Sequence, residues 1–408
     1  MTQQKYNIFT LPNGLRIVHR QTEGHVSYAG VVIKAGSRDE PECRHGLAHF
    51  VEHTVFKGTL HRSGWNINNR MESIGGELNA YTSKEETVIY TNSPAGHTER
   101  AFELLYDLIA FASFPRKEVE RERDVVIEEI YSYLDNPGES VFDEFEDRIY
   151  AGSALGRTIL GSVYSVGELT PDDCRSFIHD LYRPADMVVY CADPSPASKI
   201  EALASRYFGR LDFPGSGIRR TPPPAATRFS ETLPRQGHQA HTLYGARVFG
   251  RDDIRSHALF LLNNYLGGPG MSSVLNQQLR ERRGYVYTVD SNVSLLSDCG
   301  LWTVYLGSDL RSVEKCIKII DREIAQLASD RLSGRRLERA KRQYIGQLQV
   351  ASDHRESMAM SMGKSLAYFG EIHDIDWLSE RIQAVTADEI RDVAALLAPD
   401  RCSRLTIC

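Results

Sequence analysis

Apolar residues along this chain follow two rhythms, and the switches between them mark its elements. The turn residues Pro12-Asn13-Gly14 lead into the strand-like run Leu15-Arg16-Ile17-Val18, and residues 28–34 form a second β-rich run. The spacing then turns helical. His49 to His53 lie in a predicted helix, and residues 99–113 carry Ala101, Leu104, Leu105, Leu108 and Ile109 one helical turn apart. Residues 118–134 and 312–327 repeat this spacing, and all three stripes read as faces turned to a core. In the second half, residues 240–248 read as a strand, and residues 256–266 as a helix ended by Gly267-Gly268. Strands in clusters followed by helices in clusters indicate an α+β fold.

The clearest break falls at residues 214–227, where Pro214, Gly215, Gly217, Pro222, Pro223 and Pro224 disfavour any packed element. It separates an N-terminal domain, 1–213, from a C-terminal domain, 228–408, of similar grammar. The expectation is two similar αβ rolls, each a mostly antiparallel sheet with helices packed on one side, joined by this linker. Aligning Phe56-Lys57-Gly58 with Leu266-Gly267-Gly268 places Leu259, Leu262 and Asn263 opposite His49, Glu52 and His53. A duplicated fold would therefore have one chemically equipped copy and one supporting copy.

A length of 408 residues suits two domains, and 41% hydrophobic with 25% charged residues is ordinary for a globular chain. The net charge of −6, with no basic patch among aromatics, argues against a nucleic-acid partner. No run of 18 apolar residues occurs, so no membrane span is expected. The start, MTQQKYNIFTLPNG, lacks the basic-then-apolar pattern of a secretory signal. The seven cysteines are scattered, odd in number and never C-x-x-C, which reads as reduced thiols of a cytoplasmic protein. A secreted chain already freed of its signal would begin the same way.

His49-Phe50-Val51-Glu52-His53 is the chemical feature of the sequence. At about 100° per residue, His49 and His53 project roughly 40° apart, and Glu52 roughly 60° to the other side of His49. Two neutral imidazoles and a carboxylate can converge on a zinc ion and its water. The order H-x-x-E-H inverts the common H-E-x-x-H zinc helix. His45, four residues before His49, offers a competing histidine pair, but leaves Glu52 out of register. His238 and His241 have no acidic partner at ligand spacing. The run Gly267-Gly268-Pro269-Gly270 is no phosphate loop, since no Gly-Lys-Ser/Thr follows.

The chain resembles the inverzincin zinc metallopeptidases, which include mitochondrial processing peptidase, insulin-degrading enzyme and pitrilysin, and most of all the short processing-peptidase-like branch. The resemblance rests on Leu47 to His53 with Phe56-Lys57-Gly58-Thr59, on Glu129 76 positions after His53, on Gly75 to Thr82, and on Leu279 to Tyr287. It spans essentially the whole chain. It implies one zinc ion per chain held by His49, His53 and Glu129, with Glu52 activating zinc-bound water. Glu122, two helical turns before Glu129, would orient ligands or water, whereas Glu128 points elsewhere. Arg280 and Tyr287 would bind the substrate backbone and stabilise the oxyanion; Tyr285 departs from the usual pattern, and register favours Tyr287. Asn79, Ala80 and Tyr81 would form an edge strand onto which an extended peptide adds.

The implied function is a zinc-dependent endopeptidase of peptides or unfolded segments. The other reading is a catalytically silent, peptide-binding scaffold subunit. Large members of the family have four such domains. Two here imply a homodimer, with a heterodimer with a paralogue as the alternative.

Overall fold

The computed structural model describes residues 5–215, 217–235 and 237–408. Residues 1–4 of the expected first domain, Ser216 of the expected linker and Gln236 of the expected second domain lie outside the described residues. Two compact units are present, each with one sheet. The first sheet contains β1 (Asn7–Thr10), β2 (Arg16–Gln21), β3 (Val26–Ile33), β4 (Glu77–Thr82), β5 (Thr87–Pro94) and β6 (Met187–Asp193), in the order β1-β2-β6-β3-β5-β4. The pair β2/β6 is parallel and every other pair is antiparallel.

The second sheet contains β7 (Ser230–Leu233), β8 (Ala240–Val248), β9 (Val286–Leu295), β10 (Gly300–Ser308) and β11 (Ser403–Ile407), in the order β7-β11-β8-β10-β9. Its single parallel pair is β7/β11. Strands β7 to β11 thus repeat β2 to β6 in order and direction, the mark of a duplicated fold. The last strand of each series in space, β4 and β9, is an edge.

Period-two alternation explains how each sheet is covered. In the first unit Ile17, Val31, Ile33, Ile89 and Val189 face one core, shared with the helices Leu47–Val55, Thr98–Phe111 and Arg116–Leu134. This is the one-sided helix layer expected from sequence. The alternate residues Val18, Val32, Val88, Val188 and Tyr190 face a second core on the far side. Its cover is the helix Arg355–Phe369, from the other half of the chain, through Ala359, Met362, Leu366 and Ala367. Gly363 lets that helix lie flat on the sheet: a Cβ there would stand 2.7 Å from the Tyr190 ring.

The second unit reciprocates. The helix Pro137–Ile149 places Val141, Phe145 and Ile149 against Leu243, Leu301, Leu405 and Ile407. The first unit is accordingly Met1–Ile130, Arg157–Arg220 and Ser352–Asp374, and the second is Tyr131–Gly156, Thr221–Ala351 and Ile375–Cys408. One crossing, Arg220 to Thr221, falls inside the stretch 214–227. The other crossings exchange one helix between the halves, which a division at that stretch alone does not contain. Among the described residues no disulfide joins the seven cysteines, and no helix is long and apolar enough to cross a membrane.

Candidate metal centre

The helix Leu47–Val55 is fixed by its apolar side. Leu47, Ala48, Phe50, Val51 and Val55 are all at most 2% exposed. Burying Phe50 and Val51 is worth about 1.5–3 kcal/mol each, which holds the rotation of the helix about its axis. The opposite side carries His49, Glu52 and His53. Just beyond it, Gly58 packs against Pro115, where a Cβ would stand 2.9 Å from the proline ring, and Ser113 donates its amide to the Gly58 carbonyl at 3.0 Å. The exit of one helix thereby fixes the entry of the next, Arg116–Leu134. Phe114, just before it, adopts a left-handed φ of 49° while its ring is fully buried, so packing overrides a local strain of about 1–3 kcal/mol.

That second helix brings in the acids. Val119, Glu122, Val126 and Ile130 form its buried stripe, with Glu129 two turns after Glu122. The ligand atoms of His49, His53 and Glu129 lie within 4.8 Å of one another. Glu129 Oε2 is 3.5 Å from His53 Nε2 and 3.9 Å from His49 Nε2. These separations are long for hydrogen bonds. They are close to the ~3.4 Å expected between donors placed ~2 Å from one tetrahedral centre.

Glu122 accepts from His53 Nδ1 at 3.1 Å and from Lys57 Nζ at 2.7 Å. The first bond puts the His53 proton on Nδ1 and leaves the Nε2 lone pair facing Glu129. His49 is driven well below the usual histidine range, to about 3, by burial first and by His53 second. It is therefore neutral at physiological pH, with a lone pair free for a metal. Burial raises the Glu52 carboxyl above its ordinary range, opposed by Thr82 at the end of β4 and by His53. Two imidazole nitrogens and a half-exposed carboxylate, with Glu52 beside them and Glu122 tied to Lys57, form a donor set suited to zinc.

The remaining residues of interest are placed as follows. His45 Nε2 lies 2.8 Å from the Thr158 carbonyl oxygen and serves the start of the helix. Glu128 is exposed. Asn79, Ala80 and Tyr81 lie on β4, paired on one side with β5 and at the sheet edge on the other. The Tyr81 side chain is engaged within its own unit. Its hydroxyl donates to Glu86 at 3.0 Å, and Lys364 of the exchanged helix bonds Glu86 at 2.6 Å while lying over the Tyr81 ring.

Arg280 and Tyr287 belong to the other unit. Arg280 is exposed in the short helical segment Asn276–Glu281, and Tyr287 is exposed on β9, the edge strand equivalent to β4. Tyr285 is partly buried in its own core with Lys315 over the ring, whereas the exposed Tyr287 donates its hydroxyl to Asp309 Oδ1 at 3.5 Å.

Sequence reasoning gave no role to Lys57, Thr82 or Glu40. Lys57 lies in the turn just after the helix, four residues beyond His53. Thr82 and Glu40 meet this helix only through the fold.

Comparisons with known proteins show the family and the fold. The family model described as Insulinase (Peptidase family M16) matches residues 16–163, and that described as Peptidase M16 inactive domain matches residues 168–344. The chain is 35% identical over 399 residues to an uncharacterized zinc protease of Streptomyces coelicolor, covering 94% of this chain and 85% of the relative. It is 32% identical to an uncharacterized zinc protease of Bacillus subtilis, covering 95% of each. The mitochondrial-processing peptidase subunit beta of Caenorhabditis elegans is 29% identical, with 95% and 86% covered. Among solved structures, a peptidase M16 inactive domain from Pseudomonas fluorescens superposes with a TM-score of 0.91 at 18% identity, over 99% of this chain and 98% of that one. A protease from Helicobacter pylori gives 0.88 at 20%, over 99% of each.

Proposed function

The chain belongs to peptidase family M16, and from that premise we propose that it is a zinc-dependent endopeptidase of peptides and unfolded polypeptide segments. The observation that carries the proposal is the convergence of His49, His53 and Glu129, with Glu52 on the same helix beside the edge strand β4. His49, His53 and Glu129 would hold zinc, one ion per chain. When bound, zinc supplies Lewis acidity to water and to the scissile carbonyl.

The chain's own residues do the rest. Glu52 takes a proton from water and returns it to the leaving amine. Glu122 orients His53, and Lys57 holds Glu122 in place. An extended segment adds to β4 by main-chain hydrogen bonds along Asn79, Ala80 and Tyr81, which gives broad sequence tolerance. Arg280 and Tyr287, cation and phenol donor, bind the substrate backbone and the developing oxyanion.

The test is zinc content together with cleavage of internally quenched peptides, with and without chelator. Bound zinc and chelator-sensitive cleavage are expected. A chain that binds zinc but cuts no member of a broad peptide pool would instead be the silent, peptide-binding subunit; retention of all four residues of the metal and base set speaks against that reading.

We further propose a cytoplasmic homodimer in which one chain's Arg280 and Tyr287 serve the other's metal centre. A mixture of Glu52→Gln and Arg280→Ala chains should then regain activity that neither shows alone. No recovery in mixed dimers would overturn the shared site.

A further inference from the structure

We propose that Glu40 is a positioning residue for the metal centre: it caps the helix Leu47–Val55 from outside and thereby sets where His49, Glu52 and His53 stand. The inference rests on the reading of these residues as a metal and base set. A nine-residue helix has several amides at its start with no partner inside the helix. The residue at its cap position is Gly46, left-handed at φ +88° and without a side chain to accept from them. Glu40 substitutes. Its Oε2 accepts from the Gly46 amide at 2.9 Å and its Oε1 from the Ala48 amide at 2.7 Å. Ala48 adjoins His49, and Glu52 follows one turn later.

Placing a carboxylate here is costly, since Glu40 is 6% exposed and burial pushes it up to about 8, against the pull of the two amide bonds. A solvent-exposed cap would serve a helix end as well for stability. What the buried position adds is precision, because the loop carrying Glu40 is itself pinned. Arg38 pairs with Glu85 at 2.6 Å, and Arg220 with Asp39 at 2.8 Å and Glu85 at 3.2 Å. Glu85 lies in the turn after β4, three residues beyond Thr82, the neighbour of Glu52. Lys84 in the same turn donates to the Arg157 carbonyl at 2.6 Å.

The segment that Arg157 begins then forms a socket for the helix start. Gly46 and Gly161 approach so closely that a Cβ on either would stand 2.8 Å from the other's Cα. His45 bonds the Thr158 carbonyl in the same segment. One frame therefore holds both the helix that carries the metal ligands and the turn that ends the edge strand. Glu40 is the part of that frame that touches the helix amides.

The test compares Glu40→Gln, which turns an amide group towards an amide donor, with Glu40→Asp, which keeps the carboxyl group at shorter reach. Ile200→Val, in the core far along the chain, is the control for stability loss alone. Zinc Kd by chelator competition, kcat and KM on a quenched peptide pool, and Tm are measured on the full chain. Glu40→Gln should weaken zinc binding and lower kcat, each about 10–100-fold, with KM within about twofold. Glu40→Asp should recover part of both losses, and Ile200→Val should lower Tm alone. If Glu40→Gln lowers Tm while zinc Kd and kcat stay within about twofold of wild type, the inference is overturned. If Glu40→Gln does not fold, Glu40→Asp decides by the same criterion. A wild-type chain that takes up no zinc overturns the parent reading and this one with it.

Discussion

The helices Leu47–Val55 and Ser256–Gly267 stand at the same step of one repeated strand order, and they use it in opposite ways. The first turns His49, Glu52 and His53 away from its core and collects two acids from a neighbouring helix. The second has fully buried Leu259 and Leu262 at the matching positions. Where His53 would stand, Asn263 accepts from the indole of fully buried Trp302 at 3.1 Å and donates to the Ser291 carbonyl at 3.1 Å. One copy turns His49 Nε2 and His53 Nε2 towards Glu129 at separations long for hydrogen bonds, while its counterpart closes the same place with apolar packing and a satisfied hydrogen-bond knot. Polar atoms held open for a ligand and polar atoms tied to one another are alternative uses of one backbone.

Substitutions at matched positions test this contrast. Glu52→Gln should lower peptide cleavage about 10²–10⁴-fold while zinc content stays, measured by turnover and metal analysis. Its counterpart Leu262→Ala should leave zinc content unchanged and cost about 2–5 kcal/mol of stability in urea unfolding. Equal loss of stability from both would end the comparison. Asn263→Leu strands the Trp302 indole and should cost about 1–3 kcal/mol in the same assay, with no effect on metal.

The histidine also predicts a pH signature. His49 titrates near 3 in the folded chain and near 6.5 when unfolded, so between those values the unfolded chain binds more protons. Stability of the chelator-treated protein should therefore fall as pH drops from about 6.5 towards 3, and His49→Leu should flatten that slope, as read by thermal melts. The smallest effect is expected from Lys57→Met. It frees Glu122 from its ion pair and should weaken zinc binding a few-fold at most, since Glu122 still holds His53.

Much of this site was legible in the sequence because it is local. Two histidines four apart and a glutamate between them need only helical periodicity, whereas Glu122 and Glu129, some seventy positions on, were named only through the family resemblance. The duplication was legible too, from matching runs at similar spacing. What escaped was carried by contacts distant in sequence. The exchanged helix Arg355–Phe369 mixes apolar, small and polar residues around its axis, because its partner is a sheet face bearing Tyr190, for which Gly363 leaves room. Nothing near residue 355 announces that face. Glu40 and Arg220 are of the same kind: a lone glutamate in a loop and an arginine at the edge of a proline-rich stretch, given meaning only by groups brought to them.

The exchanged helix has a consequence for synthesis. The valines and Tyr190 on the far side of the first sheet are complete once β6 leaves the ribosome, but their cover follows about 160 residues later. At typical elongation rates that apolar face waits on the order of 10–30 s. During this interval the nascent chain presents the kind of bare surface that chaperones hold, so the protein cannot mature one half at a time.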